Sequence, residues 1–476
     1  MSLTKKVAYN TIVQFVGKLI STVIGVAIVA LITRHLGQVG YGQYTTALVF
    51  AQFFAVIIDL GLYIVLIQEI SDPQTDTRRA VSNIFTIRLL SAAIVFVAAP
   101  LVALLFPYDA IVKQSIILMS ISFFFFTLAQ VLVALYQKHL QMDRVIIAEV
   151  LGRLVFLLSI VLFVVLQKGL LYIVAGNIIF NIIYFIIIFI KARGYTHFGI
   201  SFDWLYWGRL WHRLWPIALT SLLTLVYFRA DTLILSVYRP VAEVGIYGAT
   251  YKVLEIIGTF PHMFLGLILP ILTAAYVGKN LERFHRVYQK VFDFFLTITI
   301  PLIAGSLLLG ERVMVLIAGP EFFVSGVVLK ILIWATAFIF FGNLFGYIIL
   351  AIDKQKAMIP YYIITAVLSL VLYFIFIPRY SYWAAAWSTV IIELLYMIFA
   401  LIVCYRYAQI RLSLRLGFHI LLATFGMSIV IKLLFAWPLW WLLLVAIIAY
   451  FAILYISGGI RPDILAELTN KQSDAQ

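Results

Sequence analysis

Six basic side chains, Lys18, Arg88, Arg153, Arg229, Lys252 and Lys330, each lie inside a long apolar run. A cation near the centre of a bilayer costs roughly 2.5–3.5 kcal/mol even on the mildest scales, so it normally faces a partner or a water-filled cavity. A membrane interior lined with cations suggests an anionic cargo. The same runs hold six acids, Asp59, Glu149, Asp231, Glu255, Asp293 and Glu393, so each cation has to be weighed against a neutralising partner. Glu149 and Arg153 are four apart on one helix, in the favourable order for an ion pair. Lys252 and Glu255 are three apart and can neutralise one another. Arg88 is expected to reach Asp293, which occupies the matching place 205 residues later. Lys330 sits about two turns into its span and can snorkel. Lys18 and Arg229 have no obvious carboxylate on the same helix face, and they are the best anion ligands.

The candidate cavity set is therefore Lys18, Arg229, Lys252, Arg88, Arg153, Gln14 and Gln52. Candidates for ion coupling are Asp59, Asp231, Glu255 and Glu393. Catalytic signals are not expected to follow. There is no phosphate-cradling GxxxxGK[ST], and the seven histidines form no HExxH pattern. Acids do not cluster at any outer loop. The single cysteine, Cys404, rules out internal disulfides and a cysteine metal cage. The expectation is a protein with no catalytic residue, no metal and no cofactor.

The elements that must hold these side chains are apolar helices. The chain is 64% hydrophobic and 11% charged over 476 residues, with mean hydropathy +1.10. That composition belongs to an all-α polytopic membrane protein. About fourteen spans are expected, at 9–33, 42–68, 81–106, 111–136, 145–166, 170–190, 214–238, 244–276, 291–309, 323–352, 357–377, 382–404, 416–435 and 439–458. Met1–Asn10 carries Lys5 and Lys6 and resembles the start of a signal peptide. Arg34 follows with no small-residue cleavage motif, so it reads as a retained first span. Of 34 lysines and arginines, 21 fall in the alternate segments that include the N-terminus. Lys5, Lys6, Arg461 and Lys471 are among them. Seven fall on the other side, at Arg34, Lys113, Lys168, Arg239, Arg312, Arg379 and Lys432. This bias predicts that both termini are cytoplasmic. It also accounts for much of the net charge of +14 without nucleic acid, since basic inner loops lie against anionic lipid.

A repeat organises the spans. Gly37-Gln38-Val39-Gly40-Tyr41-Gly42-Gln43-Tyr44 is echoed by Ala242-Glu243-Val244-Gly245-Ile246-Tyr247-Gly248, and the same offset pairs Gly61-Leu62 with Gly266-Leu267. Residues 103–147 resemble 319–363 in layout. Two six-helix lobes related by a pseudo-two-fold axis along the membrane normal follow, and transporters of that design hold cargo between the halves. The expected divisions are an N-terminal lobe at 1–193, a cytoplasmic linker at 194–213, a C-terminal lobe at 214–407, and a helical hairpin with a cytoplasmic tail at 408–476. Polar stripes run along equivalent spans. Thr11, Gln14, Lys18, Ser21 and Gly25 mark the first; Thr45, Gln52 and Asp59 the second; Thr220, Thr224, Tyr227 and Asp231 the seventh; Lys252, Glu255, Thr259, His262 and Gly266 the eighth.

Asn10-Thr11, Leu31-Ile32-Thr33-Arg34-His35-Leu36-Gly37 and Tyr41-Gly42-Gln43-Tyr44 resemble the polysaccharide-transporter (Wzx-type) branch of the MOP exporter superfamily. The motif is confined to roughly residues 1–70; topology extends the likeness along the whole chain. The resemblance implies two six-helix lobes around a central cavity. It implies alternating-access flipping of undecaprenyl-diphosphate-linked oligosaccharide across the bacterial inner membrane, for O-antigen, capsule or exopolysaccharide synthesis. It further implies work beside a polysaccharide polymerase or glycosyltransferases. Arg34 and Gly37 match the motif and read as structural parts of the first loop. Two other classes stay open. A cation-coupled, MATE-like antiporter of small molecules or drugs would favour acids in the cavity. A membrane polymerase or glycosyltransferase would need large outer loops, and these loops are short.

Overall fold

An apolar chain in lipid must satisfy its backbone hydrogen bonds internally, which leaves helices as the economical solution. The computed structural model describes the backbone of residues 3–459 and, with few exceptions, the side chains from Asn10 onward. Arg461 and Lys471, and the side chains of Lys5, Lys6, Thr11, Thr220, Thr224 and Tyr227, lie outside the described residues. The helices are α1 (Leu3–Asp59), α2 (Leu62–Ser71), α3 (Thr77–Ala103), α4 (Ala110–Lys138), α5 (Met142–Val165), α6 (Leu170–Ala192), α7 (Trp204–Tyr238), α8 (Val241–Val277), α9 (Leu281–Ala318), α10 (Phe323–Ala351), α11 (Ile359–Ala408), α12 (Arg415–Leu433) and α13 (Leu439–Ile456).

Among the described residues eleven helices are long and apolar enough to cross a membrane, or twelve counting one bent pair, against the fourteen spans expected. Two of these are much longer than one crossing requires: Ile12–Ser71 has 60 residues and Gln355–Ala408 has 54. A straight helix of 60 residues would be about 90 Å long, some three times the hydrocarbon thickness. Each is broken. Gly37 interrupts α1 with φ 65° and ψ −171°, a conformation open to glycine and strained for other residues. Ser381 interrupts α11 with φ 56° and ψ −141°. The expected spans 9–33 and 42–68 are joined through Gly37, with a second break at Leu60 and Gly61 inside the latter, and 357–377 and 382–404 are joined through Ser381.

Two compact units form. The first contains Met1–Ala249, Ile317–Phe322 and Tyr362–Ser388; the second contains Thr250–Leu316, Phe323–Tyr361 and Thr389–Gln476. The first therefore includes the whole expected N-terminal lobe, the linker and pieces of later spans. One of its cores joins α2, α3, α4 and α6 through Leu66, Val81, Leu132, Tyr136 and Ile188, and Tyr136 Oη donates to the Ile188 carbonyl at 2.6 Å. In the second unit α12 and α13 form a hairpin against α9, with Leu309, Ile420, Ala423, Leu442 and Leu454 buried.

The linker is stitched to α3. Backbone N–H groups of Gly199, Ser201 and Asp203 donate to Ser82 Oγ, Thr86 Oγ1 and Asn83 Oδ1 at 3.3, 2.9 and 3.1 Å. Asp203 then caps α7 by accepting from Tyr206 N at 3.0 Å, and it pairs with Arg79. The Tyr206 N–H, and after it the Arg79 guanidinium, hold the Asp203 carboxyl below the ordinary carboxylate range.

The two echoed glycine loops meet inside the first unit. A Cβ on Gly42 would lie 1.9 Å from the Val241 carbonyl oxygen, and one on Gly245 would lie 2.1 Å from that of Gln38. Around this crossing Gln38 N donates to Glu321 Oε2 at 3.4 Å, and Tyr41 packs edge-on against Phe322. Arg239 grips Glu243 through Nε at 2.8 Å and Nη2 at 3.1 Å, and Ser381 Oγ donates to the same carboxylate.

Candidate functional site

The arrangement that carries chemistry lies between α1 and α5, both in the first unit. Asn10 sets their register: its amide donates to the Leu140 carbonyl, and its Oδ1 accepts from Asp143 N at 3.3 Å. From this level the two helices run in the same direction. Lys18 is eight residues beyond Asn10, about 12 Å along α1, and Glu149 seven beyond Met142, about 10 Å along α5. Side chains at matched depth can meet, and these do. Gly17 allows the close approach, since a Cβ there would lie 1.9 Å from Ile146 Cγ2.

Glu149 Oε1 accepts from Lys18 Nζ at 3.3 Å and from Arg153 Nε at 3.0 Å. Arg153 also lies over the Phe180 ring, 6.0 Å from its centroid, and a Cβ on Gly25 would be 3.2 Å from its Nη1. The side chains of Lys18, Arg153 and Glu149 are 32%, 31% and 18% exposed. Two cations share one carboxylate, so the cluster keeps a surplus positive charge. It is buried enough for charge-assisted hydrogen bonds to be strong, and open enough for a ligand to reach. The Arg153–Glu149 pair follows from spacing along one helix. The Lys18–Glu149 contact does not: no carboxylate was expected on the same helix face, and the partner comes from another helix, 131 residues away.

The other cations differ. Arg88, 1% exposed, pairs with Asp59, not with the expected Asp293, whose carboxylate accepts from Gln289 at 2.8 Å. Arg88 Nε and Nη1 are buried without hydrogen-bond partners among the described residues. Asp59 is 38% exposed and sits where α1 breaks at Leu60 and Gly61, with φ 39° and 86°. Lys252 pairs with Glu255 at 2.8 Å. Lys330 pairs with Glu311 on α9 instead of snorkelling, a partner that the sequence left outside the spans. Arg229 acts electrostatically on Asp231. Asp231 is 1% exposed and accepts from Tyr247 Oη and Thr232 N, both at 2.5 Å. Glu393 is buried on α11. Gln14 is half-buried, and Gln52 Oε1 is buried without a partner among the described residues. Among the described residues no group of three or more His, Cys, Asp or Glu side chains could hold a metal.

The second unit holds a separate apolar groove of about 420 Å³, lined by Pro301, Leu302, Met427, Ile431, Leu443 and Tyr450 among others. Sequence reasoning took α12 and α13 as an appended hairpin and missed it. Only their three-dimensional packing on α9 shows the space.

Comparison with known proteins places the chain. The family model described as "Polysaccharide biosynthesis protein" matches residues 3–276, and the MatE model matches residues 216–375. A capsular polysaccharide biosynthesis protein, CapF, of Staphylococcus aureus is 28% identical over 154 residues. That match covers 32% of this chain and only 39% of the relative. The fold is similar to that of the lipid II flippase MurJ in an inward closed conformation, with TM-score 0.75 and 13% identity, over 96% of this chain and all of the other. It is also similar to an inward-facing MATE multidrug transporter of the MOP superfamily, with TM-score 0.64 and 14% identity, over 84% of this chain and 97% of the other. The chain is an all-helical, multi-pass membrane protein with this fold.

Proposed function

We propose, from the premise that the chain belongs to the polysaccharide biosynthesis protein family, that it is a flippase for a polyprenyl-diphosphate-linked oligosaccharide, acting in cell-surface polysaccharide synthesis. It is a transporter, not an enzyme. The observation that carries this reading is the Lys18–Glu149–Arg153 cluster with its surplus positive charge, about 10–12 Å beyond Asn10 on α1 and Met142 on α5, counted from the side that the charge bias assigns to the cytoplasm. Lipid-linked cargo loaded from the inner leaflet would bring its diphosphate to that depth. Arg229 and Lys252 remain secondary cargo contacts in this reading; Arg88, 1% exposed, would reach cargo only if its pair with Asp59 opened. Asp59, Asp231, Glu255 and Glu393 are the acids through which an ion gradient would act. The apolar groove against α12 and α13 suits an isoprenoid chain, which needs no polar partner.

The chain crosses the bacterial inner membrane fourteen times, if the bent pair within α7 counts as one crossing and the helices broken at Gly37 and Ser381 as two each, with both termini cytoplasmic. Residues 1–193 and 214–407 form the two lobes that alternate access, joined by 194–213, with 408–476 appended. A polymerase or glycosyltransferases would act beside it. In proteoliposomes, Lys18→Gln and Arg153→Gln should each lower flipping of a polyprenyl-diphosphate-linked glycan at least about tenfold at equal protein levels. Normal transport by both variants would end the cation-site reading.

A cation-coupled small-molecule antiporter is the second reading, favoured by the MatE match over residues 216–375 and by the buried carboxyl of Asp231. It predicts proton- or sodium-driven efflux of cationic dyes that is indifferent to Lys18→Gln.

A further inference from the structure

We propose that Glu149 is the resident anion of the cargo site: it holds the places on Lys18 and Arg153 that the cargo's phosphate takes, and it reclaims them on release. The inference rests on the flippase reading and adds a residue that sets affinity and release.

The geometry points to this role. A single oxygen, Glu149 Oε1, accepts both cations, at 3.3 and 3.0 Å. A purely structural pair would need only Arg153, one helical turn away on the same helix. Lys18 comes from another helix, with its register set by Asn10 and its approach allowed by Gly17. Two cations and one carboxylate make an incomplete set. Without the carboxylate, two like charges would face each other in a medium of low dielectric, which is costly. With it, one positive charge remains unneutralised and attracts a second anion. A diphosphate carries more charge and more acceptor oxygens than a carboxylate, so it can bind both cations at once. About a third of each cation's side chain is exposed, which gives it a path in.

Competition of this kind suits a transporter. Cargo that binds too well is not released, and an internal carboxylate weakens cargo binding while keeping the empty site folded. Glu149 is thus a positioning residue that tunes affinity, acting through Lys18 and Arg153.

The test uses the full-length protein in neutral phosphatidylcholine nanodiscs, with farnesyl diphosphate as probe and farnesol and inorganic pyrophosphate as controls. Glu149→Gln should bind farnesyl diphosphate about tenfold more tightly, equivalent to ~1.4 kcal/mol, and release it more slowly. Glu149→Asp, which keeps the charge but withdraws it by one methylene, should lie between Glu149→Gln and the unaltered protein. In a flipping assay Glu149→Gln should lower both the half-saturating concentration and the maximal rate. A merely structural role would weaken binding instead. Binding by Glu149→Gln and Glu149→Asp that is unchanged or weaker, while Lys18→Gln and Arg153→Gln bind less, overturns the displacement idea and leaves the flippase reading standing. Binding that is equal for farnesyl diphosphate and farnesol, and unaffected by Lys18→Gln or Arg153→Gln, overturns both. Tightening seen equally with pyrophosphate supports displacement of Glu149 and assigns the ligand as free phosphate, against a lipid-linked cargo.

Discussion

The charged side chains divide into those that stabilise and those that keep charge in reserve. Arg88 is the clearest of the first kind: fully buried, paired with Asp59, and with two of its nitrogens lacking hydrogen-bond partners among the described residues. Removing the acid alone should strand a buried cation. Asp59→Asn is expected to cost about 3 kcal/mol, and the double variant Asp59→Asn, Arg88→Met much less, read as thermal melting in detergent. Asp203 gives a pH-dependent counterpart outside the spans. Its carboxyl is held below the ordinary value, so the stability it adds is fully present above the ordinary carboxylate range and is lost as pH falls through the lowered value. Acidification below about pH 4 should loosen the linker, measured as faster proteolysis near 199–207, and Asp203→Asn should flatten that dependence. Pairs along one helix, Glu149–Arg153 and Lys252–Glu255, were legible from spacing. Lys18–Glu149, Arg88–Asp59 and Lys330–Glu311 were not, because sequence separation says nothing about which helices lie side by side.

At the level of elements, the chain's apolar runs were legible and their boundaries only partly so. Hydropathy marks where polarity returns, yet Gly37 and Ser381 each break a helix without a polar loop to announce it. The echoed glycine loops read as a repeat, and the structure brings them into contact: Gly42 and Gly245 each lie against a backbone carbonyl of the other loop. If access alternates in the proposed topology, this crossing must part when its side of the membrane opens. Cysteines at Gln38 and Glu321, in a Cys404→Ala background, should cross-link and stop transport, and reductant should restore it. Full transport by the cross-linked protein would exclude the crossing as a moving part. Gly42→Ala cannot keep the present approach, and it should raise maleimide labelling of a cysteine placed at Thr46.

For the whole molecule, composition and charge bias were enough to suggest a helical membrane transporter, and the echoed glycine loops suggested two lobes. The two compact units were beyond reach, since the chain passes between them at 249, 316, 322, 361 and 388. That threading bears on biogenesis. The turn at Gln38 meets Glu321 only after 283 further residues have been added. At ribosomal speeds of about 5–20 residues per second, this is roughly a quarter of a minute to a minute. Through that interval the first unit stands in the membrane unfinished, the turn at Gln38 waiting for chain still being translated. A nascent protein of this design depends on timely completion, and mutations that weaken the Gln38–Glu321 closure should show first as poor yield of mature protein.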